Sequence, residues 1–193
     1  RGFNKGEAKM ADLKVTALTS LAAATAREDL LHIIDDPSGT PVNKKETVGD
    51  MMNALAAPVT LADTDVTLTE ATHAGRFLIT PNVSGTRTYT LPTPKVGMIF
   101  RFIGPTGLAA ADGNSVVISA GTSNTIFFKG QLVMHDTNQT GQTSTVVFSD
   151  QDSNETITLA IAQAHDITCV GSSTTTWQLT GFVASDTAVA LAD

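Results

Sequence analysis

Thr156-Ile157-Thr158-Leu159-Ala160-Ile161 alternates apolar and small polar side chains with a period of two. Successive strand residues point to opposite faces, so Ile157, Leu159 and Ile161 share one face while Thr158 and Ala160 share the other. The same alternation recurs in Gly97-Met-Ile-Phe-Arg-Phe102, where Phe100 and Phe102 share a face and Arg101 takes the opposite one. Extended outward, the pattern predicts strands over 66–69, 76–80, 87–91, 98–103, 116–119, 125–128, 131–134, 145–149, 156–161, 166–170 and 176–183. Turn chemistry separates them at Asn82-Val-Ser-Gly85, Pro92-Thr-Pro94, Asp112-Gly-Asn114, Thr140-Gly141 and Gly171-Ser-Ser173. Gly181 interrupts parity between Leu179 and Phe182 and reads as a bulge. Many short strands at close spacing predict a mainly β fold, an antiparallel β-sandwich or jelly-roll-like domain.

Ahead of Ala56-Ala57-Pro58 the texture changes, which places a boundary there: residues 1–57 form an N-terminal arm and attachment segment, and 58–193 the all-β domain. The first part holds seven basic and eight acidic side chains, the second five and eleven. The stretch 47–57 predicts one short helix, because Val48, Met51, Met52 and Leu55 recur at helical spacing. Thr47 can cap its start with Asp50 three residues on, and Pro58 stops it. Gly49 weakens it by roughly 1 kcal/mol relative to alanine, so the helix is expected to depend on docking. Leu30-Leu-His-Ile-Ile34 reads as a strand, Asp35-Asp-Pro-Ser-Gly39 as a turn, and 42–46 as a returning strand. Upstream, Leu13, Val15, Leu18 and Leu21 fit neither period and suggest an extended arm lying along another surface; a short helix after Ser20 is the competing expectation. Residues 1–9 precede Met10-Ala-Asp and read either as an upstream leader or as a short tail.

Composition narrows the classes. The chain has 193 residues, 41% hydrophobic and 16% charged, enough apolar content to bury a core. About 30 residues are threonine, which is β-branched and suits a half-exposed strand. The formal charge of −7 argues against nonspecific nucleic-acid or anionic-membrane binding, which need positive fields. No apolar run approaches the roughly 18 residues of a membrane-spanning helix, and no secretory leader is visible. A single cysteine excludes an internal disulfide framework and a thiolate zinc cluster.

The chemistry-bearing residues make no recognised catalytic pattern. Asp150-Gln-Asp152-Ser-Asn154 begins like a calcium loop, yet Glu155 stands where glycine is wanted and Ile161 where a bidentate carboxylate is required. Asp63 and Asp65, like Asp35 and Asp36, are paired carboxylates; a glycosidase needs such a pair across a cleft, whereas carboxylates beside strands are ordinarily turn formers. His32, His73, His135 and His165 form no His-x-His or HExxH spacing. Cys169 alternates with Ile167 and reads as a buried small hydrophobe, and Trp177 as a core residue. No catalytic residue, metal site or cofactor is expected.

The N-terminal residues carry a resemblance. Met10-Ala-Asp-Leu-Lys-Val-Thr-Ala-Leu18, Arg27-Glu-Asp-Leu-Leu-His-Ile-Ile-Asp35 and Asn43-Lys-Lys-Glu-Thr-Val48 resemble the opening of tailed-bacteriophage head-decoration, head-fibre and tail-fibre-like virion proteins. That opening runs ADLKISxL, DLLxIVD, a turn, then xKKITxxxLL; Glu46 departs from it, since a hydrophobic residue is usual near there. The match spans residues 10–55, and Arg87-Thr-Tyr-Thr-Leu-Pro92 and Thr176-Trp-Gln-Leu-Thr-Gly181 are more loosely similar to phage β-domains. The resemblance implies a non-enzymatic capsid decoration (cement) or short head-fibre protein on the virion surface, present in host cytoplasm during assembly. It further implies a homotrimer binding the major capsid protein through the N-terminal segment, with no nucleic-acid or membrane partner. On this basis Leu13, Val15, Leu18 and Leu21 are the expected capsid contacts. Two alternatives stay open: a tail-associated receptor-binding module recognising a host-surface ligand, and a hydrolase using the acidic loops.

Overall fold

A computed structural model describes residues 26–35, 39–40, 42–104, 114–138, 143–160 and 162–193. The leader at 1–9 and the expected arm with Leu13, Val15, Leu18 and Leu21 lie outside the described residues. The chain divides into two compact units, Arg1–Met52 and Asn53–Asp193, the division falling inside a helix.

The first unit is a hairpin of β1 (Leu30–Asp35) and β2 (Val42–Thr47), antiparallel with Leu30 opposite Thr47 and Asp35 opposite Val42. Helix α1 (Val48–Ala56) follows directly. Its start is capped as the residues require: Thr47 Oγ1 accepts the Asp50 N–H at 3.0 Å and donates to the Asp50 carboxylate at 2.5 Å. Gly49 is buried against Arg27, donating its N–H to the Arg27 carbonyl at 2.7 Å. A Cβ at Gly49 would lie 3.0 Å from that oxygen, so glycine permits the close approach. The glycine that weakens the helix intrinsically therefore also anchors its first turn.

The second unit is a β-sandwich. One sheet has seven strands in the order β10-β9-β13-β12-β7-β5-β3, the other five in the order β14-β11-β8-β6-β4. Their ranges in chain order are β3 (Val59–Thr60), β4 (Val66–Thr67), β5 (Phe77–Ile79), β6 (Arg87–Thr90), β7 (Ile99–Gly104), β8 (Ser115–Ser119) and β9 (Phe127–Asp136). They continue with β10 (Ser144–Phe148), β11 (Thr156–Ala160), β12 (Ala162–Gly171), β13 (Thr176–Ser185) and β14 (Ala190–Ala192). A four-residue helix α2 (Glu70–His73), capped by Thr69, lies between β4 and β5.

From β3 to β8 the chain alternates between the sheets strand by strand, so β3, β5 and β7 run parallel in one sheet and β4, β6 and β8 parallel in the other. The expected sandwich is present, with these parallel pairs beside its antiparallel ones. Parallel neighbours need a crossover connection, and here a strand of the opposite sheet supplies it. The result is a winding of three turns, formed without a sequence repeat. The remaining strands close it antiparallel, β12 on β7 and β11 on β8, although β13 and β9 are again parallel.

The core lies between the sheets. Phe100, Phe102, Phe128, Ile167, Cys169 and Trp177 project from one side, and Tyr89, Val116, Ile118, Ile157 and Leu159 from the other, all buried. Phe100 meets Trp177 edge-on with ring centroids 5.5 Å apart. Trp177 Nε1 donates to the Ala120 carbonyl at 2.9 Å, tying β13 to the end of β8 across the sandwich. Gly181 is not a bulge: Ile167 opposes Gly181 in unbroken register, and the register shift falls at Ala162/Ala164. Gly181 keeps inward parity, where a Cβ would lie 2.3 Å from the Asp166 carbonyl oxygen, and Phe182 points outward.

Candidate functional site

The hairpin β1–β2 is a two-stranded structure that cannot bury apolar side chains within itself, and such hairpins are marginal alone. Leu30 is 59% exposed and Ile33 is also open. On α1, Met51 is half-buried, while Met52 and Leu55 of the expected apolar face are exposed. The helix is therefore present with two residues of its apolar face, Met52 and Leu55, exposed. Arg27 and Asp29 fasten the approach to β1: the Asp29 carboxylate accepts the Ala26 N–H at 2.8 Å, and the Asp29 carbonyl accepts the Val48 N–H at 2.9 Å.

The carboxylates singled out by sequence serve loops. Asp63 accepts the Ser84 N–H at 3.1 Å and Arg87 Nε at 2.7 Å, and hydrogen bonding from Ser84, then Arg87, draws its carboxyl down to about 2. Asp65 accepts the Thr88 N–H at 2.9 Å. Both hold the β4–β6 connection rather than converging across a cleft. Asp150 Oδ1 accepts the N–H groups of Asp152, Ser153 and Asn154 at 3.2, 3.1 and 3.1 Å, a closed turn whose hydrogen bonds, Ser153 first, bring its carboxyl to about 2. Among the described residues no three His, Cys, Asp or Glu side chains gather closely enough to hold a metal ion, and no helix is long and apolar enough to cross a membrane.

His165 is the residue whose setting sequence reasoning missed. It reads as a histidine at a strand edge, yet it is 3% exposed. Nε2 lies 3.1 Å from Thr80 Oγ1, and Nδ1 is buried without a hydrogen-bond partner among the described residues. Burial pulls its pKa down to about 4, the neighbouring Asp166 opposing only weakly, so the ring is neutral near pH 7. Cys169 is fully buried, and desolvation raises its thiol pKa well above the ordinary value. Neither group faces solvent.

No family model matches the chain, and no curated protein is similar to it in sequence. The outward surfaces are then what remains to consider. On β7, β12 and neighbouring strands, Arg101 donates to Asp166 from Nε at 2.8 Å and from Nη2 at 2.5 Å, and its guanidinium carbon lies 4.9 Å from the Phe77 ring centroid. A shallow hollow of about 320 Å3 sits beside this group, lined by Arg101, Asp166, Thr168, Thr180, Gly181 and Phe182. Its polar groups are the paired Arg101 and Asp166 and the hydroxyls of Thr168 and Thr180.

Proposed function

We propose that the protein is a non-enzymatic structural component of a tailed-phage virion, a capsid decoration or short head-fibre protein that grips the major capsid protein through its N-terminal segment. The observation that carries this is the set of exposed apolar side chains on that segment: Leu30 and Ile33, on opposite faces of the hairpin, and Met52 and Leu55 on α1. A small hairpin and one short helix gain little stability alone and gain it by burying such side chains against a partner. The resemblance of residues 10–55 to phage attachment segments supplies the kind of partner. Attachment in many copies stabilises an assembled shell by mass action, because the subunit binds the assembled lattice and not its separated parts.

A tail-associated receptor-binding module would carry its exposed aromatics on loops. Among the described residues the exposed aromatics Phe77, Phe148 and Phe182 all lie on strands, which favours the decoration role. Deleting residues 11–21, which contain Leu13, Val15, Leu18 and Leu21, is expected to abolish co-sedimentation with capsids while the β-sandwich stays folded. Retained capsid binding by that deletion would refute the anchor.

A further inference from the structure

The two outward faces of the sandwich differ in kind. On the five-stranded sheet the rows Thr88–Val117–Thr158–Ala190 and Thr90–Ser119–Thr156–Ala192 present small, uncharged side chains. On the seven-stranded sheet the central row is Ile79–Ile103–Asp166–Phe182–Val133–Val146. Around it Phe77, Ile99 and Phe148 stand exposed, Phe148 at 64%. Among the described residues the five-stranded face carries no exposed large hydrophobic side chain. A sheet face meant for water is polar, so one face meets that condition and the other does not.

We propose that the outward face of the seven-stranded sheet is a self-association surface, covered by a second copy of this chain. Charge selects that occupant. Residues 58–193 hold five basic and eleven acidic side chains, so copies repel over most of their surface. The strands of this sheet carry Arg101, Lys129, Asp166 and, at the end of β9, Asp136; of these Arg101, Lys129 and Asp166 have outward parity. Arg101 and Asp166 already satisfy each other through two hydrogen bonds, so a copy can cover them without leaving an orphaned charge. A partner recognised through strong charge would find little here to read.

Area agrees. Six half-open side chains, Phe77, Ile99, Val133, Val146, Phe148 and Phe182, leave on the order of 500 Å2 of apolar surface, the upper end of what a lone soluble chain exposes. With the polar residues between them the face approaches the roughly 800 Å2 per partner of a stable interface. Three aromatics and an arginine, with a single lysine and no glutamate, approach the composition of an interface centre. The sheet edge continues the patch: β10 is a terminal strand, Ser144-Thr-Val-Val-Phe148, with no charge, proline or register shift to discourage pairing. The far edges are strands of two residues each, β3 and β4, too short to recruit a partner.

This surface stands independently of the virion role. The test is sedimentation equilibrium of the full chain, wild type against the double variant Phe148→Asp/Phe182→Asp, with Thr158→Asp on the opposite face as control. Wild type and control are expected at a multiple of the 20.1 kDa chain mass, and the double variant as a monomer or at least tenfold weaker in association. Trp177 fluorescence, reporting the buried indole, checks that each variant is folded. A monomeric wild type overturns the proposal and leaves the face to a different partner; an oligomer that the double variant leaves intact overturns it as well. If the double variant fails to fold, Val146→Cys decides, since the native Cys169 is buried. Bismaleimide crosslinking well above that of Thr158→Cys is the expected result, and crosslinking no greater than that control overturns the proposal.

Discussion

The imidazole of His165 fills the space beside Gly104, where an added Cβ would come 2.2 Å from Cε1. Only glycine leaves room for the ring, and burial keeps the ring neutral. The consequence is a specific acid sensitivity. The unfolded chain takes up this proton near pH 6.5, the folded one only near 4. The contribution of His165 to stability is thus complete above pH 6.5 and is lost as pH falls from 6.5 to 4, on the order of 3 kcal/mol in all. Denaturant unfolding measured at steps of pH should show that loss in the wild type and its absence in His165→Gln. Asp63 and Asp150, held at about 2, act in a separate window: their contributions are present above roughly pH 4 and are lost as pH falls toward 2. One signal for His165 was available in the sequence. It shares parity with Ile167 and Cys169, and that alternation outweighs the usual preference of histidine for an edge.

Among elements, those with strong local chemistry were legible and those defined by distant partners were not. Asp-Pro-Ser-Gly after the apolar run 30–34 identifies the turn of the first hairpin, and Thr47 with Asp50 identifies the start of α1. By contrast β9 is one strand of ten residues where separate strands over 125–128 and 131–134 were expected. Gly130 lies at φ 131° against the backbone of β13, and a Cβ there would sit 2.1 Å from the Leu179 carbonyl oxygen. Its Gly130→Ala variant should lose about 2 kcal/mol or more through backbone strain and collision, read as a lowered denaturation midpoint. Strands β3 and β14 escaped notice for a simpler reason. Two or three residues cannot display a period, and alanine in β14 carries little strand preference. The expected contacts Leu13, Val15, Leu18 and Leu21 lie outside the described residues, whereas Leu30, Ile33, Met52 and Leu55 could be read from the apolar runs that contain them.

Over the whole molecule, class was legible and pairing was not, because a period of two is the same whether the neighbour runs parallel or antiparallel. Nothing in Phe77-Leu-Ile79 or Arg87-Thr-Tyr-Thr90 says that each strand pairs with one a full turn away. What joins the layers is apolar packing plus a few polar ties, of which Trp177 is the largest. The Trp177→Phe variant removes the hydrogen bond to Ala120 and leaves that buried carbonyl unpaired, which should cost about 2 kcal/mol. Urea unfolding followed by far-ultraviolet circular dichroism would measure it. The parallel winding also dictates an order of assembly. Its last turn leaves β7 and β8 as raw borders until β12 and β11 arrive, and the β9–β10 hairpin reaches its sheet only through β13. A nascent polypeptide halted near residue 150 would display unsealed rims that invite coalescence with its siblings, so the stretch after residue 150 acts as a seal on everything synthesised before it.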